Sequence, residues 1–208
     1  MKIEKVEPSK HRQERVLVFL EGGDLLRVTQ NELLRFGLCA GMELSAETLE
    51  ALKKSGETSS ARVRGANLLG RRPYSRHDLA KKLREKGADE DAVSDAVEYL
   101  TDLGALDDVQ YGRMLVRHYS TMGYGAGRLR AELSRHGVDR ALWDEIFTAM
   151  PQSEEALQKV ILSRTHGKAP NEAERKKLFA LLLRRGFSRD DVNRALCAYG
   201  ESIEEENI

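Results

Sequence analysis

Seven positions recur three times along the chain, and this recurrence limits the possible folds more than any other feature. Leu79, Leu83 and Gly87 are followed by Val93, Ala96, Val97 and Leu100. Leu129, Leu133 and Gly137 are followed by Trp143, Ile146, Phe147 and Met150. Leu178, Leu182 and Gly186 are followed by Val192, Ala195, Leu196 and Tyr199. The three glycines lie 50 and 49 residues apart. A period in this range marks an array of supersecondary units.

Each copy has a simple physical meaning. Two leucines four apart share one helix face. A glycine four residues later supplies the left-handed stop. The apolar positions beyond it form one stripe of a second helix. The expectation is therefore helix, glycine stop, helix, with a further helix before each copy. These positions are read as core and cap, and chemistry must be sought elsewhere.

The amino-terminal part differs. Arg15-Val16-Leu17-Val18-Phe19-Leu20, the turn Glu21-Gly22-Gly23-Asp24 and Leu25-Leu26-Arg27-Val28 predict a β-hairpin, with a further short strand near Ile3 to Val6. Thr29-Gln30-Asn31-Glu32 is a capping box for a short helix that stops at Gly37. Ser45 caps a helix from Ala46 to Lys54 that ends at Gly56, and Glu57-Thr58-Ser59-Ser60 is the joint or the next cap.

From Ala61 the reading is all helix. Ala61 to Leu69 is the first piece, ended by Gly70 and Pro73. Ser75-Arg76-His77-Asp78 is a capping box for a helix to Lys86, and Asp89 caps one to Leu103. Asp107 or Asp108 caps a helix to Met122, and Gly123-Tyr124-Gly125-Ala126-Gly127 leads into the helix ending at Gly137. Asp139 caps the next, which Pro151 follows. Ser153 caps a helix to Thr165, and Asn171 caps one to Arg185. Ser188-Arg189-Asp190-Asp191 is a capping box for a helix to Tyr199. Glu201 to Ile208 is read as an acidic, frayed tail.

The expected fold is mainly α: a tandem array of three three-helix repeats, elongated and curved, with a small amino-terminal β-hairpin and helix module. The divisions fall at 1–57, 58–104, 105–151, 152–200 and 201–208. Units of about 50 residues are marginal alone and bury their ends on one another.

Composition then narrows the function. The 208 residues carry 34 basic and 34 acidic side chains, for a net charge of +0. A tight, indiscriminate polyanion binder would carry a basic excess. Aromatics at 6% disfavour a broad base-stacking surface. Cys39 and Cys197 have no CxxC spacing and are read as reduced and structural in a cytoplasmic protein. No apolar run approaches the ~20 residues that span a bilayer. His11, His77, His118, His136 and His166 show no zinc spacing. Asp107-Asp108 could pair on a metal, but capping explains them at less cost. The glycine loop at 123–127 has no preceding strand and no following GK[ST], so it reads as a flexible joint rather than a phosphate cradle. No catalytic constellation emerges, and no cofactor or metal is expected.

Basic residues recur on the same helix of each copy. Arg71, Arg72, Arg76, Lys81 and Lys82 crowd the first, beside Arg62, Arg64, Arg84 and Lys86. Arg128, Arg130 and Arg135 occupy the second. Lys176, Lys177, Arg184 and Arg185, with Arg175, occupy the third. Acidic residues gather on the helix that follows: Asp89, Glu90, Asp91 and Asp95, then Asp144 and Glu145, then Asp190 and Asp191. A solvated face explains any one copy. The recurrence points to a stripe that meets an anion or an acidic partner.

These residues resemble the RecX family, bacterial regulators of the RecA recombinase. Arg72-x-x-Ser75-x-x-Asp78-Leu79-x-x-Lys82-Leu83-x-x-Lys86-Gly87 is similar to that family's first repeat, and Leu106-Asp107-Asp108-x-x-Tyr111 to its inter-repeat motif. Gly123-Tyr124-Gly125-Ala126-x-Arg128-Leu129-x-x-Glu132-Leu133-x-x-x-Gly137-Val138 resembles the second repeat, and Arg185-Gly186-Phe187-Ser188-x-Asp190 the third. Phe36-Gly37-Leu38 and Gly41-Met42-Glu43-Leu44 resemble the extension of longer members. Gly112 replaces the usual alanine, Ala126 a common proline and Asp78 a frequent glutamate.

The resemblance implies a non-enzymatic, monomeric modulator that binds RecA and its filament on DNA. It further implies inhibition of recombinase, ATPase and coprotease activity, and so regulation of DNA repair and the SOS response. Weak direct DNA contact is possible on the basic stripe, and no membrane is involved. The alternative is a direct DNA- or RNA-binding helical repeat. Because Arg128, Arg130 and Arg135 lie off the apolar stripe, reversing them to glutamate is expected to weaken inhibition without unfolding the array. Leu133→Ala is expected to cost roughly 2–5 kcal/mol.

Overall fold

Alternation along Arg15–Leu20 buries Val16, Val18 and Leu20 on one face, as a half-covered strand requires. This strand, β2, pairs antiparallel with β1 (Ile3–Pro8) on one side and β3 (Leu25–Thr29) on the other. The computed structural model describes residues 1–9, 15–148 and 153–206. The readings placed on His11, Met150 and Pro151, and on the Ser153 side chain, lie outside the described residues and side chains. Contacts divide the chain into two compact units, residues 1–73 with 79–106, and residues 74–78 with 107 onward.

In the first unit, Thr29 caps α1 (Gln30–Arg35) with both bonds of the capping box in place. Ser45 accepts from the Thr48 N–H and opens α2 (Ala46–Leu69). The sequence reading breaks this stretch at Gly56. The structure instead runs one helix of 24 residues through it. Anchors on either side of the glycine explain the difference. Ser55 and Ser59 donate to the Glu32 carboxylate at 3.1 and 2.7 Å, and Lys54 and Arg62 reach Asp91 and Asp95. Tertiary contacts of this kind override a glycine that costs only ~1 kcal/mol in a helix.

Below the sheet, Ile3, Val18, Leu20, Val28, Leu38, Leu44 and Leu52 form one core. Further along α2, Ala61 is buried, and Gly65 lies against Leu79, Leu83 and Leu100. Those leucines come from α3 (Arg76–Glu85) and α4 (Glu90–Asp102), the latter capped by Asp89. A Cβ at Gly65 would stand 2.7 Å from Leu100 Cδ1, so the absence of a side chain allows this packing.

The second unit holds two cores. One gathers Tyr111, Val116, Leu129, Leu133, Val138 and Ile146 from α5 (Asp108–Thr121), α6 (Ala126–Arg135) and α7 (Trp143–Phe147). Leu133 is fully buried, as expected. Asp107, not Asp108, caps α5. Asp139 caps a 3-10 turn, Arg140–Leu142, ahead of α7, where a single helix was expected. At Gly112 a Cβ would overlap Ile146, which gives the missing methyl a packing reason. The other core gathers Leu157, Ile161, Leu178, Leu182, Phe187 and Val192 from α8 (Ser153–Thr165), α9 (Glu172–Arg184) and α10 (Arg189–Glu206). Asn171 and Glu174 form a full capping box, a pairing the sequence reading did not draw. The backbone of α10 continues to Glu206, past the expected end at Tyr199 and through most of the expected frayed tail.

Candidate partner-binding surface

The basic residues singled out by the sequence separate into two groups. Those of the second repeat are engaged within the unit. Glu132 is 3% exposed, and Arg128 and Arg135 hold it from both sides at 2.6 and 2.7 Å. The spacing i−4 and i+3 places all three on one helix face. Arg130 lies over the Phe147 ring at 5.1 Å. Arg185 donates to the Met122 and Gly123 carbonyls at 3.1 and 3.2 Å, which caps the end of α5, and it also faces the Tyr124 ring. Reversing Arg128 or Arg135 therefore carries a structural cost that their place off the apolar stripe does not reveal. A glutamate at either place would face a buried carboxylate.

The remaining candidates, mostly exposed like Arg128, Arg130 and Arg135, have fewer partners. Arg71, Arg72, Arg76, Lys81, Lys176, Lys177 and Arg184 are exposed, and Lys82 is half-buried. Lys82 pairs with Glu85 and Lys176 with Glu172, each at 2.7 Å. Arg71, Lys81, Lys177 and Arg184 form no ion pair among the described residues. The acidic residues of the following helix are largely occupied. Asp89 caps α4, Glu90 pairs with Arg84, Asp91 with Lys54, and Asp95 with Arg62 in a two-point contact at 2.5 and 2.8 Å. Glu145 reaches Arg113, and Asp191 reaches Ser188 and Arg194. The Ser188 hydroxyl, foremost, holds the Asp191 carboxyl below its ordinary range. Most of these acidic side chains thus serve their own unit, and Arg71, Lys81, Lys177 and Arg184 are exposed cations outside the ion pairs described.

Two candidate chemistries are consumed by structure. Asp107 accepts the Val109 and Gln110 N–H groups, while Asp108 accepts the Arg76 N–H at 2.8 Å. Burial pushes the Asp108 carboxyl up, and the Arg76 N–H pulls the other way. Among the described residues no group of three or more His, Cys, Asp or Glu side chains is placed to hold a metal. In the glycine loop, the Gly125 N–H donates to the Arg185 carbonyl and the Gly127 N–H to the Gly186 carbonyl, both at 2.9 Å. These donors face another repeat, so the loop is a packed seam and not the flexible joint expected. Both cysteines are free and exposed, which takes them out of any core. No helix among the described residues is long and apolar enough to cross a membrane.

A second seam has the same plan. The Ser75 hydroxyl accepts the Asp78 N–H at 3.0 Å and donates to the His136 carbonyl at 2.6 Å. Asp78 turns its carboxylate to His136 Nδ1 at 2.6 Å, and the Tyr111 hydroxyl lies 3.2 Å from the same nitrogen. The stop glycines Gly137 and Gly186 press on His77 and Arg128, and a Cβ at either glycine would overlap them. Sequence reasoning missed both seams. Their one visible signal was the glycine at equivalent places.

Three consecutive three-helix units define a helical-repeat protein. Residues 61–100, 107–146 and 152–196 match the first, second and third three-helix domains of RecX. The chain is 39% identical over 137 residues to Regulatory protein RecX of Stenotrophomonas maltophilia strain K279a, covering 64% of this chain and 82% of that one. It is 35% identical over 132 residues to Regulatory protein RecX of Pseudomonas fluorescens, covering 62% and 85%. The chain belongs to the RecX family of regulatory proteins. A crystal structure of regulatory protein RecX shares the fold, with a TM-score of 0.77 at 24% identity over 93% of this chain and 98% of that one. RecX from Lactobacillus salivarius aligns with a TM-score of 0.61 at 21% identity over 69% and 96%.

Proposed function

We propose that the protein binds the RecA recombinase and RecA–DNA filaments and lowers their recombinase, ATPase and coprotease activity. By this route it regulates DNA repair and the SOS response, as a monomer acting in the cytoplasm and making or breaking no bonds itself. Family membership carries the reading. The residues assigned to the partner surface are the exposed cations Arg71, Arg72, Arg76, Lys81, Lys177 and Arg184, with Lys82 and Lys176 at reduced charge because each is already paired. Arg128, Arg130 and Arg135 are exposed beside them but are held by Glu132 and the Phe147 ring, and Arg185 is held by the Met122 and Gly123 carbonyls. Zero net charge suits a mainly protein partner, where such cations set register and encounter rate.

The test is RecA-dependent ATP hydrolysis on single-stranded DNA, with and without the protein, beside a titration of the same DNA without RecA. The reading expects inhibition with weak DNA binding. Tight, steeply salt-dependent DNA binding and no effect on hydrolysis would favour the nucleic-acid alternative.

A further inference from the structure

A cleft runs along α2 in the first unit, bounded by β3 and the start of β2 on one side and by the turn between α3 and α4 on the other. Its volume is about 790 Å³, in the range of ligand sites. Gly56 and Ser60, one helical turn apart, line it along the helix. A Cβ on Gly56 would stand 3.8 Å from the Arg27 carbonyl oxygen, so helix and strand come close at that point. From Lys53 to Arg64, which both line the cleft, α2 advances about 16 Å at 1.5 Å per residue.

The lining narrows what the cleft can take. Arg15 Nη1 donates to the Arg27 carbonyl at 3.4 Å, and Arg64 Nη1 to the Lys86 carbonyl at 3.2 Å. Both partners are neutral, so these guanidiniums keep their charge. Arg27 is exposed and forms no ion pair among the described residues. Lys53 is a fourth cation, 3.7 Å from Glu50. Two carboxylates oppose them. Asp89 is turned to the Ala92 N–H at 2.7 Å as the cap of α4, and its bond to Glu57 raises the Glu57 carboxyl above the ordinary value. On the sheet side the wall is apolar, from Leu17, Leu25 and Leu26, and Leu25 is 40% exposed. No aromatic ring lines the cleft among the described residues, so it lacks the platform on which single-stranded nucleic acid stacks. A sugar–phosphate chain would also leave the leucines uncovered.

We propose that this cleft binds an extended acidic segment of a protein partner, with its carboxylates on Arg15, Arg27 and Arg64 and an apolar side chain against the leucines. Charge complementarity is the first ground. Arginine is suited to it, because its planar fork meets a carboxylate at two points. The apolar wall is the second ground, since a peptide carries acidic and apolar groups on one chain. Length is the third. The stretch from Lys53 to Arg64 has room for about five residues of extended chain at 3.3 Å each. None of the cations assigned to the RecA surface lines the cleft.

Fluorescence anisotropy of the full chain provides the test, with a labelled peptide that alternates glutamate and leucine and is blocked at both ends. Saturable binding is expected, weaker as salt rises. Arg27→Glu with Arg64→Glu is expected to weaken it at least about tenfold. Arg27→Gln with Arg64→Gln, which removes charge and adds none, should fall between that variant and the wild type. Lys81→Glu with Lys177→Glu makes the same change of net charge outside the cleft and should leave the affinity as it was. All four positions are exposed, and circular dichroism melts check that each variant folds. Peptides with glutamine for glutamate, or alanine for leucine, should bind less well. A wild type that shows no saturable binding would overturn the proposal. So would an equal loss in the Lys81 and Lys177 variant, or displacement of the peptide by single-stranded DNA as readily as by unlabelled peptide. Inhibition of RecA is scored separately, so either reading can fail alone.

Discussion

The Gly125 N–H donates to the carbonyl of Arg185, 2.9 Å away and in the next repeat. No side chain takes part. A Cβ at Gly125 would lie 2.5 Å from the Phe187 nitrogen and 2.6 Å from the Gly186 carbonyl carbon. Backbone cannot swing aside as a flexible side chain does. Gly125→Ala is therefore expected to lose about 1–3 kcal/mol, as overpacking does. The φ there is −86°, so conformational strain adds nothing and the loss is steric. A thermal melt reads it directly, and an unchanged melting temperature would show that the seam opens freely.

Gly56 makes the opposite case. It sits inside α2, and a Cβ there would meet only the Arg27 carbonyl, at a comfortable 3.8 Å. Gly56→Ala is expected to stabilise the protein by about 0.5–1 kcal/mol, by removing backbone freedom from the unfolded chain. Denaturant titration would show a higher midpoint with the same slope. A fall in stability would mean that the helix is interrupted at this residue.

Reversal of Arg128 and Arg135 to glutamate is expected to lower stability by about 1–3 kcal/mol, because Glu132 loses its partners while it stays buried. Adding Glu132→Gln to that double variant should restore part of the loss, which a mutant cycle measures. Any fall in RecA inhibition by the double variant has to be read against this.

Acid is expected to weaken the amino-terminal unit. Burial opposes ionisation of Glu32, but the Thr29 N–H and the Ser59, Thr29 and Ser55 hydroxyls outweigh it, so the carboxyl sits below its ordinary value. A group with a depressed folded pKa adds stability above its unfolded pKa and loses it as pH falls through the folded one. The loss should therefore fall below the ordinary glutamate range, and Glu32→Gln should flatten that part of the stability curve while lowering stability at neutral pH. Circular dichroism melts across pH 2–7, a range spanning the ordinary carboxylate values, would reveal the difference.

For the partner surface, Arg71→Glu with Arg184→Glu is the informative variant. Both side chains are exposed and outside the ion pairs described. Exposed charges of this kind act mainly on encounter, so inhibition of RecA should require about tenfold more protein, with little change in melting temperature. Full inhibition at the original concentration would remove both from the interface.

Much of this architecture could be read from the chain because local signals and packing agree. Leucines at i and i+4 with a glycine four further on gave the buried Leu79, Leu83, Leu129, Leu133, Leu178 and Leu182 and the left-handed Gly87, Gly137 and Gly186. A β-rich apolar run ending at a Gly-Gly turn gave the strand from Arg15 to Leu20. The failures lie where distant contacts decide. Gly56 reads as a stop until Glu32 and α4 are seen to hold the helix on both sides. Arg185 reads as one more surface cation until it is found on the carbonyls of Met122 and Gly123. A list of charged residues carries no sign of which carboxylate is buried, so the hold of Arg128 and Arg135 on Glu132 is legible only in the structure.

Helix α2 has one more consequence. Its 24 residues span about 36 Å. One end is fastened beneath the sheet through Leu52 and Glu32, the other beside α4 through Arg62 and Gly65. A load applied to the sheet therefore reaches Asp95 and Leu100 along a stiff lever, with no slack tether to absorb it. Whatever grips the amino-terminal strands also pushes on the first repeat.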